Sequence, residues 1–555
     1  MKKFKSYNII GLLVILMMLN LSCDSELTTN SSRDVSDREV LSSVSGLNMV
    51  LRSAYQYILM GDGSEGAQGQ AVYTGIPGLC LYYDLGGADI LSHTNYGGST
   101  CDSYQFSVRR TTAAENATKI WRNMYFVINQ VNLILDALPE ATGDNAEKSL
   151  IEGQCKTLRG IAYFNLIFNY QQTYAISKSK RGVILRTSSS DPVEKGFSTV
   201  QECYDLIVSD LTEAKTLLAN FNRTDKWQVN ADVTSGYLAR VYQVMGNWQG
   251  ALTEASAVYN RNSTLMTRAQ WLSGFHDISI PEVLWAIVNT NITNNGENTW
   301  FCYWHNQDPS YGETMQGGPI FNFLQLLVDD KYVQLFDDTD YRGLKCTKTW
   351  KDGDPESNHV SDDDEKGVMF WHRTRSTIDN INNKWAYNKF KFIGTGDIGQ
   401  HQYIDYSIMR SSEMLLIMAE AAAQLENGNA LTYLTTLQTA RNARLTTATE
   451  KNALLEEIYA ERRKELLGEG VTGMYDLLRL QRPLVRFGAS LSNPAGHFSW
   501  GFQNMDGYNG SDAEPKGTIP SNDYRFICQI PQVEFANNSA INEANDQNPF
   551  SGTGN

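Results

Sequence analysis

Residues 231–259, ADVTSGYLARVYQVMGNWQGALTEASAVY, read as two helices joined by a tight turn, and that spacing admits few architectures. Leu238, Ala239, Tyr242, Gly246, Trp248 and Ala251 fall at the offsets of a tetratricopeptide helix pair. Ala239 and Ala251 are small enough to let two helices approach, Gly246 ends the first helix, and the larger residues fill the groove between them. A looser unit at 414–441, MLLIMAEAAAQLENGNALTYLTTLQTAR, has an Ala-rich helix that breaks at Asn427-Gly428 before a partner begins. Upstream, WRNMYFVINQVNLIL, CKTLRGIAYFNLIFNY and CYDLIVSDLTEAKTLL repeat apolar residues at three- and four-residue spacing, the period of an amphipathic helix. The expected fold is mainly α: tetratricopeptide-type helix pairs forming one platform, with long irregular loops and a few short strands. The two units lie far apart in sequence, so insertions interrupt the platform and it is not a continuous solenoid.

The expected insertions are 61–110, 262–402 and 486–555, all rich in Gly, Asn, Asp, Tyr and Trp. Loops of that length are uncommon in a compact domain unless they carry function. In the second, EVLWAIV at 282–288 reads as a short strand. Beyond it Trp300, Tyr303, Trp304 and Tyr311 cluster with His305, Asn306, Gln307 and Asp308. The first insertion offers Tyr82, Tyr83, Asp89, His93, Asn95 and Tyr96 in LYYDLGGADILSHTNYGG. Flat aromatic faces stack on the apolar face of a sugar ring, while Asn, Asp and His read its hydroxyl groups. The expected ligand-binding set is therefore Tyr82, Tyr83, Asp89, His93, Asn95, Tyr96, Trp300, Tyr303, Trp304, His305 and Tyr311.

The densest charge cluster lies elsewhere, in YAERRKELLGEGVTGMYDLLRL at 459–480. On a helix Glu461, Glu465 and Glu469 share a face, with Arg462 and Arg463 beside them. Exposed pairs at such spacing are worth only about 0.2–0.5 kcal/mol each. Two catalytic acids need to face each other across a gap of roughly 5–10 Å, which neighbours on one helix do not provide. The cluster reads as scaffold, with Asp476 and Arg479 able to pair in the short helix that follows. No nucleophile elbow, phosphate loop or dinucleotide glycine pattern is present, and the seven His residues show no metal-ligand spacing. His401 and Asp405 stand four apart, which suits a side-chain hydrogen bond better than a metal. SDDDEKG at 361–367 reads as a solvated acidic loop, since it lacks the glycine turn and terminal Glu of a calcium-binding EF-hand. No catalytic residue, metal or cofactor is expected.

With 47 basic and 62 acidic residues in 555, the net charge of −15 argues against a nucleic-acid partner. Residues 1–22 read as a signal peptide: Lys2, Lys3 and Lys5, then the apolar run IIGLLVILMMLNL, too short for a comfortable membrane span. LNLSC ends it at Cys23, in the pattern of a bacterial lipoprotein cleavage box, so Cys23 is the expected lipidated (acylated) residue and membrane anchor. Residues 23–40 are a polar tether with a reach of about 20 Å, and 41–555 are expected to form one domain. Cys155 and Cys203 lie in helical patterns as core residues. Cys80 and Cys101 bracket one loop, and spacing alone does not settle whether they pair.

The order of these pieces carries a family resemblance. AYQYI, WRNMYFVINQVNLIL, CKTLRGIAYFNLIFNY, EVLWAIV, DYSIMRSSEMLLIMAEAA, ERRKELLGEG with YDLLRL, and the terminal IPQVEFANNSAINEANDQNP span nearly the whole mature chain. Together with the lipoprotein box they resemble the RagB/SusD family of the Bacteroidetes, outer-membrane nutrient-binding lipoproteins. Val471-Thr472-Gly473 departs from that pattern, where an Arg is usual before the short helix. The resemblance implies a SusD-like fold and a non-enzymatic, cell-surface lid on a SusC-like TonB-dependent transporter, binding an oligosaccharide or polysaccharide. A peptide ligand, as in RagB-type members, is the alternative within that class. A secreted glycan-active enzyme with acids from separate loops, such as Asp89 and Asp308, is the alternative outside it.

Overall fold

The computed structural model describes residues 39–61, 75–92, 103–106, 111–112, 115–275, 277–288, 326–345, 350–351, 368–373, 384–387, 389–390, 405–490, 493–502, 504–507 and 516–551. Helices dominate them. Helix α1 spans Val44–Met60, α2 Gly75–Leu85, α3 Glu115–Ala137, α4 Asn145–Tyr170 and α5 Val200–Leu217. The start signals are local. Asp144 accepts from the amides of Ala146 and Glu147 to cap α4, and Thr199 with Glu202 forms a reciprocal capping box on α5.

The two helix pairs form where the spacing expects them. Helix α6, Ala231–Met245, ends at Gly246 in the left-handed region (φ 72°), and Asn247 caps α7, Trp248–Arg261. Ala239 and Ala251 are fully buried. The second pair is α8, Ser411–Gln424, and α9, Ala430–Ala440, with Asn427 and Gly428 in the turn between. Helix α7 packs directly on α8, although residues 262–410 separate them in the chain. Helix α10, Lys451–Leu466, packs on α8, and the short α11, Met474–Arg479, packs on α2.

Short strands mark the insertions. The expected strand EVLWAIV is β2, Val283–Ile287, buried throughout and antiparallel to β7, Tyr406–Arg410, which runs straight into α8. Strands β1 (Ile90–Ser92), β3 (Leu326–Val328), β4 (Trp350–Lys351), β5 (Met369–Arg373) and β6 (Lys384–Tyr387) form one sheet in the order β1-β3-β6-β5-β4. Strands β8 (Leu484–Phe487) and β9 (Lys516–Ile519) pair separately.

The 61–110 insertion differs from expectation. Every residue of α2, GIPGLCLYYDL, is buried. A helix covered on all sides has no polar stripe to give it a 3.6-residue signature, and its Gly and Pro imitate a turn; Pro77 sits in the first turn, where its missing N–H costs little. Cys80 in α2 carries a free thiol, as do Cys155, Cys203 and Cys528, all buried. Burial pushes the Cys80 thiol up to about 12. Cys101 lies outside the described residues.

Candidate ligand cleft and loop-bearing strands

The acids of α10 and of the turn that follows it are buried, not solvated; the helix ends at Leu466 and Gly468 takes φ 87°, so Glu469 lies in that turn and not on the shared helix face expected for it. Glu461 and Glu469 are 1% and 3% exposed and Glu465 is fully covered. Their partners come from distant segments: Arg342 reaches Glu461 at 2.5 Å and Glu465 at 2.9 Å, and Arg410 reaches Glu465 at 2.8 Å and Glu469 at 2.6 Å. Arg441 contacts Glu465 at 2.8 Å and Glu282 at 2.6 Å. Burial pushes the Glu465 carboxyl up, but the guanidinium groups of Arg441 and Arg410 outweigh it and hold the group well below the usual carboxylate range. The expectation of weak exposed pairs on one helix is corrected: sequence spacing reveals i, i+4 neighbours but not three arginines delivered from 342, 410 and 441. The cluster ties β7, α9, α10 and the 262–402 insertion together, as scaffold does. The expected Asp476–Arg479 pair forms at 2.6 Å.

The departure at Val471-Thr472-Gly473 has a local role. Thr472 donates its hydroxyl to Asp84 at 3.1 Å. Gly473 has φ 54°, and a Cβ there would meet the Tyr83 carbonyl oxygen at 2.7 Å. An Asp84 carboxyl so enclosed is pushed up to about 8, chiefly by burial.

Three of the expected ligand residues are described, and none is a free surface group. Tyr82 and Tyr83 are 1% and 5% exposed on α2. The Tyr82 hydroxyl lies 3.3 Å from the Cys528 sulfur, while Tyr83 accepts from Asn169 at 2.7 Å and meets Phe168 edge-on. Their rings pack in protein, which corrects their expected place in an open loop. Asp89 is buried just before β1, with both carboxylate oxygens held by Arg463. His93, Asn95, Tyr96, Trp300, Tyr303, Trp304, His305 and Tyr311 lie outside the described residues, as do Cys23, Asp308, His401 and the acidic run at 361–367.

The strands that bear those loops are well defined. Strand β1 pairs antiparallel with β3, with Ser92 opposite Leu326. The chain therefore leaves β1 toward residue 93 and arrives at β3 from residue 325 at the same end of the same pair.

At the other end of β1 opens a cleft of about 470 Å³ between α10, α11 and β8. Leu477, Leu480, Val485 and Phe487 supply an apolar wall, and Asp89, Arg463, Lys331, Arg482 and Asp329 supply polar groups. The Lys331 ammonium sits 4.2 Å from the centre of the Phe487 ring, and the Arg482 guanidinium sits 4.5 Å from that of Tyr459. His497 lies at the back, stacked on Tyr104 and with Nε2 2.9 Å from the Ala88 carbonyl; since a carbonyl only accepts, Nε2 carries a proton. Sequence reasoning missed this cleft because its walls come from five separated segments, none with a motif. Among the described residues no group of three His, Cys, Asp or Glu is placed to hold a metal. No described helix is long and apolar enough to cross a membrane.

Comparison with known proteins adds the family. A model described as "Starch-binding associating with outer membrane" matches residues 90–243, and one described as "SusD family" matches 281–550. A SusD-like protein P38 of Formosa agariphila is 24% identical over 281 residues, 49% of each chain, so the match spans about half of that relative. Among solved structures, a SusD-like carbohydrate binding protein from Bacteroides vulgatus superposes with a TM-score of 0.70 at 24% identity, over 90% of this chain and 98% of that one. A SusD superfamily protein from Bacteroides thetaiotaomicron gives 0.67 at 22% identity, over 91% and 100%. Two family models side by side and a shared fold over nine-tenths of the length agree: the chain belongs to the RagB/SusD family.

Proposed function

We propose that this protein is a glycan-binding, non-catalytic lipoprotein of the outer-membrane surface, anchored through Cys23, that hands an oligosaccharide or polysaccharide to a SusC-like TonB-dependent transporter. The observation that carries the binding site is the register of β1 and β3. The two loops that carry the remaining expected ligand residues, one following Ser92 and one preceding Leu326, join the fold at paired residues. Their ligand residues would be His93, Asn95, Tyr96, Trp300, Tyr303, Trp304, His305 and Tyr311. Asp89, already engaged by Arg463, serves as a support for β1. The family model that names starch binding and the outer membrane supports the ligand class and the location, and the polar signal-to-tether junction at Cys23 supports the anchor.

Aromatic stacking should dominate the affinity. Sugar hydroxyls exchange water for protein hydrogen bonds at about 0.5–1.5 kcal/mol each, whereas covering a ring face removes apolar area at about 25 cal/mol per Å². Titration calorimetry of the mature protein against a panel of neutral glycans, with peptides added, identifies the ligand. Trp300→Ala and Trp304→Ala are each expected to cost about 2 kcal/mol of affinity for it, with circular dichroism unchanged. Parent-like binding by both variants would move the site elsewhere.

A further inference from the structure

The cleft between α10, α11 and β8 is not explained by the proposed loop site, whose loops leave the described fold at the opposite end of β1. Its size falls within the range of small-molecule pockets, about 300–1,000 Å³, at about 470 Å³. Its carboxylates are already engaged. Asp89 is held by Arg463, Asp476 by Arg462 and Arg479, and the Glu456 carboxylate by Arg482. Asp330, beside the rim, accepts from the Trp385 indole at 2.6 Å and the Ala495 amide at 2.7 Å. Asp329 is buried, takes the Lys331 amide at 2.7 Å, and is pushed up to about 7 by burial. Lys331 differs from all the other cations of the cleft. It is exposed, makes no ion pair among the described residues, and holds its ammonium over the half-buried Phe487 ring. A second ammonium, that of Lys516, approaches the same ring at 5.8 Å. On a chain of net charge −15, this leaves Lys331 as the cleft cation that no described carboxylate pairs, set against an apolar wall.

We propose that this cleft is a second saccharide site, selecting a sugar residue that carries a carboxylate or a sulfate. The proposal rests on the reading of the protein as a glycan binder. The apolar face of the pyranose packs on the Leu477, Leu480 and Phe487 wall, and the anionic substituent takes Lys331 as a charge-assisted partner. A neutral sugar finds the wall but leaves the ammonium unpaired. An ordinary anion finds the ammonium but no ring contact. Among saccharides, only an acidic sugar makes both contacts, so the combination selects it over a neutral one.

The test is calorimetry on the full mature protein with a trigalacturonate, a sulfated galactan oligosaccharide and a neutral galactan oligosaccharide. At least one acidic ligand is expected to bind, and Lys331→Gln to weaken it about tenfold, the scale of one charge-assisted contact, while Lys331→Arg retains it. Raising salt from about 50 to about 300 mM should weaken the same binding, because a rim charge is screened. Which acidic ligand binds tells carboxylate from sulfate. Trp304→Ala, which belongs to the loop site, should not move this binding. Three results would overturn the cleft site: failure of both acidic ligands, equal binding by Lys331→Gln, or equal loss of the neutral sugar in that variant. Neutral-glycan binding by the parent decides the underlying reading separately: if it persists while acidic ligands fail, only the cleft proposal falls. If no glycan of any kind binds, both fall.

Discussion

On α10, Glu465 and Glu456 are the same side chain nine residues apart, each paired with arginine, and they do different work. Glu465 is fully buried against Arg342, Arg410 and Arg441, which come from three distant segments. Glu456 is 62% exposed and pairs with Arg482, itself 37% exposed, at the edge of the cleft. A pair in high dielectric gains little over its separately hydrated members. A buried charge that loses its partner keeps its desolvation penalty with nothing to offset it. The inner face of α10 is thus a clamp that holds the insertion to the platform, and the outer face carries an exposed pair that holds little.

The sharpest way to break this contrast is Glu465→Gln. It leaves three buried guanidinium groups short of a counter-charge, and a loss of about 3–5 kcal/mol is expected in urea unfolding. The Glu465 carboxyl is depressed in the folded state relative to its ordinary value of 4.5, so its contribution is full above that value. It is lost as pH falls through the lower folded-state value. The variant should therefore show a shallower acid limb than the parent. A change below about 1 kcal/mol would show that the clamp is dispensable.

A smaller effect is expected from Asp84→Asn, under the same end of α10. The folded carboxyl sits at about 8 against an ordinary 3.8. The native state therefore holds the proton more tightly than the unfolded chain, and stability declines as pH rises between those values. The amide removes that slope. Unfolding midpoints at about pH 5 and about pH 8 should diverge in the parent and converge in the variant; equal slopes would contradict the assignment. The smallest effect is expected from Glu456→Gln, below about 1 kcal/mol in the same assay, as for other exposed pairs. A larger loss there would erase the distinction between the two faces.

What the sequence determined by itself was everything encoded within one or two turns of chain. Gly246 and Asn247 stop one helix and cap the next, Ala239 and Ala251 admit close packing, and EVLWAIV is apolar enough to be a strand. These are short-range properties, and the order of such pieces identified the family. Tertiary structure alone decided which side chains face solvent. Tyr82 and Tyr83 belong to a helix without a polar stripe and are core, Asp89 is held by a residue 374 positions away, and the α10 acids meet arginines from three segments. The cleft likewise draws Lys331 to Phe487 from the far side of the chain. Local spacing fixes backbone geometry, whereas burial, counter-charge and the existence of a cavity depend on which distant surfaces pack together, and no periodicity records that.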